Sequence, residues 1–126
     1  MRTFNDIQTL HPKALLQKEV FAAYYHDGGQ EEWVYFKMIP RHVVRYVAKA
    51  MQQMKMFASY ALNYKQEECR TGFICERWEL RVFQRDEALM PLQDFEMITA
   101  ELVASMGYEL HWIPVQKMLN MKNNWI

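Results

Sequence analysis

The sequence predicts one α+β domain: a mainly antiparallel four-stranded sheet with one long and one shorter helix packed on one face, in the order β-β-α-β-α-β-α. Three observations predict it. Two aromatic and β-branched runs flank the glycine pair in "YYHDGGQEEW", the mark of a hairpin. "ERWELRVFQR" alternates apolar and charged residues, as a strand with one solvated side does. Two stretches, one after Pro40 and one after Pro91, repeat apolar residues at helical spacing. With 126 residues, 51% of them hydrophobic, the chain fits a single domain over 1–126 with a packed core.

The first seventeen residues are weakly patterned, and Pro12 suits the start of a short helix through Leu16. The hairpin comes next. With Gly28 and Gly29 as a two-residue loop, Tyr24 faces Trp33 and Ala23 faces Val34. One face then carries Phe21, Ala23, Val34, Phe36 and Met38, and the other Val20, Tyr24, Trp33, Tyr35 and Lys37.

Pro40 ends the second strand and opens a helix expected to reach about Gln66. On a wheel of ~100° per residue, Val43, Val44, Val47, Ala50, Met51, Met54, Phe57, Ala58, Ala61 and Leu62 fall within an arc of about 140°. Met51 and Met54 therefore point inward, while Met56 lies across the wheel among Arg45, Lys49 and Gln52. Tyr46, Tyr60 and Tyr64 run along one shoulder, either as rim cover with their hydroxyls in water or as part of a contact surface. In the next strand Trp78, Leu80 and Val82 share a face. A helix begins after Pro91, with Phe95, Ile98, Leu102 and Met106 as its stripe and Gly107 as its stop. "YELHWIP" reads as a last strand and "VQKMLNMKNNWI" as a terminal helix.

The net charge is zero, but the charges are segregated. Between Trp33 and Gln66 stand six Lys or Arg and no acid; between Asp86 and Glu109 stand six acids and no Lys or Arg. Either the two blocks face each other inside the fold, or the molecule carries two opposed patches, which could also meet between two copies in a homodimer. Arg41 and His42 at the start of the long helix, with Arg45, oppose its dipole. They suit an anion or a partner carboxylate, unless an acid from 86–109 folds over them.

No catalytic motif, cofactor fingerprint or metal-ligand spacing is present. His11, His26, His42 and His111 fall in four separate elements, and Cys69 and Cys75 are expected as reduced thiols. No apolar run approaches the ~20 residues of a membrane span, and no signal-like stretch opens the chain, so a cytoplasmic location is expected. The expected function is a small non-enzymatic protein-interaction module, a regulator, inhibitor or immunity-type protein. It would meet an acidic partner protein through Arg41, His42, Arg45, Lys49, Met56 and Tyr60. The alternative is nucleic-acid binding through Tyr24, Trp33, Tyr35 and Lys37, since stacking platforms pair exposed aromatics with basic side chains. Metal, cofactor and catalytic residues are expected to be none.

Overall fold

A computed structural model describes residues 18–68, 72 and 74–121. The short helix expected from Pro12 to Leu16 lies outside the described residues. Five strands and three helices succeed one another: β1 (Glu19–His26), β2 (Glu31–Lys37), α1 (Arg41–Gln53), β3 (Ser59–Glu68), β4 (Ile74–Phe83), α2 (Leu92–Ser105), β5 (Glu109–Trp112) and α3 (Val115–Asn120). Each helix starts directly after a proline, namely Pro40, Pro91 and Pro114, whose fixed φ and missing N–H suit a helix start.

The α+β class holds, but the sheet is five-stranded and mixed, in the order β3-β4-β2-β1-β5. The β1–β2, β2–β4 and β3–β4 pairs are antiparallel, and β5 adds parallel to β1 after the α2 crossover. Among the described residues no helix is long and apolar enough to cross a membrane.

The largest correction concerns the long helix. It stops at Gln53, and the chain turns there before entering the strand β3. The stop is a two-bond C-terminal turn: Met56 N–H donates to the Met51 carbonyl and Lys55 N–H to the Gln52 carbonyl. Lys55 takes the left-handed conformation at φ 59°, where glycine is the usual residue. Met51 and Met56 are both buried beside this turn. Beyond it, "SYALNYKQEE" has period two rather than 3.6, so Tyr60, Leu62 and Tyr64 share one face of β3. Met56 is therefore 1% exposed where a surface position was expected, and Met54 is 52% exposed where an interior one was. With thirteen residues, α1 is no longer than the fourteen-residue α2.

The first hairpin is a correction of register. Tyr24 pairs with Val34, Tyr25 with Trp33 and His26 with Glu32, so the loop is longer than two residues. The Asp27 carboxylate accepts from Gly29 N–H at 2.9 Å, and His26 bonds the Gly29 carbonyl at 2.7 Å. A shift of one residue exchanges the faces of β1 relative to β2. Val20 and Ala22 thus join Val34, Phe36, Leu80 and Val82 on the face that α1 and α2 cover with Val43, Val44, Val47, Met51, Phe95 and Val103.

The third helix does not share that face. α3 lies against β1 and β2, and Lys37, which belongs with Trp33 and Tyr35, donates its ammonium to the Met121 carbonyl just beyond the helix. At the other end of the sheet, the β3–β4 ladder runs from Ser59↔Phe83 to Glu68↔Ile74. Cys75 is disulfide-bonded, against the expectation of a reduced thiol. The chain's other cysteine, Cys69, lies outside the described residues.

A buried ion pair joins β2 to the segment before α2. Arg85, whose side chain is fully buried, donates to both oxygens of Glu32 at 2.7 and 2.9 Å and to the Met90 carbonyl. Its guanidinium lies 5.4 Å from the centre of the Phe95 ring. Tyr24 closes the cluster from β1: burial, then the Glu32 carboxylate, pushes its hydroxyl up to about 12.

Candidate functional site

Two surfaces gather the candidate residues, and their electrostatics differ. The first is a groove of about 560 Å³ between α1 and the edge strand β3. Arg41, Arg45 and Lys49 stand four residues apart on α1, hence on one side of the helix, and form one wall. Tyr60, Leu62, Asn63 and Tyr64 of β3, with Trp78 of β4, form the other wall and the floor. The helix runs against β3. Its first residue Arg41 lies 5.8 Å from the Trp78 ring, opposite Tyr64, and its last turn reaches Ala58 through Gln52.

The aromatic floor is ordered by ring contacts, Tyr64 on Trp78 at 5.2 Å and Phe57 on Tyr60 at 5.8 Å. Burial and then a hydrogen bond with Glu76 raise the Tyr64 hydroxyl above its ordinary value, which places an acid at that end of the groove. All three cations are exposed, and among the described residues none has an ion-pair partner. The acids of 86–109 do not fold over them: Glu87 turns instead to Arg85 and Glu109 to His111.

Of the six residues expected at a partner or anion site, the groove thus brings together Arg41, Arg45, Lys49 and Tyr60. His42 is exposed on α1 outside it, and Met56 is buried in the interior. Of the floor residues, Leu62 reads in the sequence as part of a helical core stripe and Trp78 as sharing a strand face with Leu80 and Val82. Their place at the groove depends on β3 being a strand beside β4, which the helical reading of 54–66 concealed.

The second surface is the sheet face away from α1 and α2. Tyr25 stacks on Trp33 at 5.5 Å and leans on Tyr35 at 6.4 Å. Arg81 lies 5.6 Å from the Trp33 ring and 5.1 Å from Phe83, and Arg77 lies 5.7 Å from Tyr35. Of the four residues expected at a nucleic-acid site, Trp33 and Tyr35 lie here, and Tyr25 takes the place expected for Tyr24, which points to the helices. Lys37 is 1% exposed beneath Met121, and burial depresses its pKa.

Comparison with protein-family models, curated proteins and solved structures finds no match. The charge balance of the two surfaces must therefore separate them.

On the sheet face the arginines are already paired. Arg77 bonds Glu79 at 2.8 Å and Glu67 at 3.3 Å, and Arg81 pairs with Glu31. Those pairs neutralise the charge that phosphates would need. A third cluster lies where β1 meets β5: ligand atoms of Glu19, Glu109 and His111 fall within 4.8 Å of one another. Sequence spacing could not foresee it, since a parallel pairing across ninety positions brings the residues together. His111 also stacks on Phe21 at 5.3 Å, a packing role that needs no ion.

Proposed function

We propose that the protein is a non-enzymatic interaction module, a regulator or inhibitor, that holds a partner protein by an acidic part of its surface. The observation that carries this reading is the line of Arg41, Arg45 and Lys49, exposed and without ion-pair partners among the described residues, above an aromatic floor. Arginine, tyrosine and tryptophan are the residue types enriched at protein interfaces and among their energetically dominant positions. Charge sets the rate and register of such an encounter, and the aromatic residues supply the desolvated contact. The disulfide at Cys75 favours an oxidising compartment over the cytoplasm expected from composition.

Nucleic-acid binding is the competing reading, and the same groove provides the comparison. Fluorescence anisotropy would be measured with a labelled glutamate-rich peptide and with single-stranded oligothymidylate of equal charge, across a salt series. The parent would be compared with the Arg41→Ala/Arg45→Ala/Lys49→Ala variant. The expected result is preference for the peptide, lost in the variant. Preference for the oligonucleotide, or peptide binding that survives in the variant, would overturn the proposal.

A further inference from the structure

β3 is the edge of the sheet, and its outer side has no strand partner among the described residues. Ten residues of edge backbone leave alternate N–H and C=O groups open along the lip of the groove. An occupant that only touched the cations would leave these groups to water. An extended segment would use both. We propose that the groove takes a partner strand that adds to the free edge of β3 and presents acids at alternate positions to Arg41, Arg45 and Lys49. This rests on the interaction-module reading and specifies its binding mode.

The repeat distances support it. Successive cations four residues apart on α1 rise about 6.0 Å along the helix. Alternate side chains on one face of a strand repeat every ~6.6–6.8 Å. Over three positions the mismatch accumulates to only about 1.4 Å, which the long stems of Arg and Lys absorb. Side chains of the added strand that face α1 would lie beside Tyr60, Leu62 and Tyr64, which share that face of β3. A docked helix would satisfy none of the β3 edge groups.

Charge argues against this chain as its own occupant. Residues of β3 on the same face are Tyr60, Leu62, Tyr64, Gln66 and Glu68, with one acid among them, so pairing β3 with β3 of a second copy leaves the cations unmatched. The acidic block does not fit either, because Asp94, Glu96 and Glu101 belong to the helix α2. Segment 1–17 contains the single acid Asp6 and 122–126 contains none. A partner from outside remains: an extended segment with Asp or Glu at i, i+2 and i+4 between β-branched residues.

The test uses two labelled peptides of identical composition, Thr-Glu-Val-Glu-Val-Glu-Thr and its isomer Thr-Val-Glu-Glu-Glu-Val-Thr. Binding to the full chain is read by anisotropy and by amide shifts in the NMR spectrum. The alternating peptide is expected to bind about tenfold tighter, the worth of one charge-assisted hydrogen bond. Amide shifts are expected along Ser59–Lys65. Methylating the peptide's backbone nitrogens one at a time should weaken binding at every second position. Equal affinities without that alternation would overturn strand addition while leaving an acid-binding groove in place. If neither peptide binds while the oligothymidylate does, both this inference and the interaction reading fall.

Discussion

Arg85→Met strands a carboxylate inside the protein. The Glu32 side chain is 7% exposed and would lose its two bonds, of 2.7 and 2.9 Å, to the guanidinium. Methionine replaces much of the volume beside Phe95, so the cost is electrostatic more than a cavity. Removing one member of a buried pair costs about 3–5 kcal/mol. A chain of this length unfolds with an entropy of about 260 cal/mol/K, at ~2.1 cal/mol/K per residue. The expected fall in Tm is therefore about 11–19 °C by scanning calorimetry at neutral pH. Arg85→Met/Glu32→Leu removes both charges and is expected to regain most of that loss, because an apolar replacement of a buried pair is often neutral. If Arg85→Met melted within about 4 °C of the parent, the pair would be worth no more than a surface one. A double variant no better than the single one would equally refute the account.

The same core sets further outcomes. Burial acts to raise the Glu32 pKa, but the Arg85 guanidinium and the Tyr24 hydroxyl outweigh it and hold the carboxyl below its ordinary value of 4.5. The folded value lies below the unfolded one, so this stabilisation is complete above about 4.5 and is lost as pH falls through the folded value. The difference in Tm between the parent and Glu32→Gln should accordingly narrow in acid. Lys55→Gly relieves a left-handed residue at φ 59° and should raise stability by about 0.5–1 kcal/mol in urea titrations. Met56→Ala should cost about 2–4 kcal/mol and Met54→Ala less than about 0.5, an order that a helix continuing to Gln66 would reverse.

Much of the architecture was legible in the sequence because it rests on period and punctuation. Pro40, Pro91 and Pro114 mark helix starts, Gly107 ends α2 at φ 89°, and the alternation of Trp78, Leu80 and Val82 identifies β4. The end of α1 was not legible, because a lysine occupies the left-handed position where a glycine would have signalled the stop. Ala58, Ala61 and Leu62 then continue the helical stripe by coincidence, and the shorter period of Tyr60, Leu62 and Tyr64 is hidden beneath it. The hairpin register was hidden by its loop, since two glycines suit a tight turn even where Asp27 and His26 build a wider one. The basic line of Arg41, Arg45 and Lys49 was visible in composition and spacing. Its aromatic floor was not, because Trp78 reaches it only through the pairing of β4 with β3.

The edge strand also has a colloidal consequence. A ten-residue strand with a free side is a template for edge-to-edge stacking, the first step toward fibrils at high concentration. Here the cations above its lip act as gatekeepers, since a second copy approaching the same edge brings its own Arg41, Arg45 and Lys49 and is repelled. Lys65, Glu67 and Glu68 add charge further along the strand. The residues that would welcome an acidic strand thus also keep like from joining like. A chain stripped of them is expected to stack edge to edge more readily at high concentration.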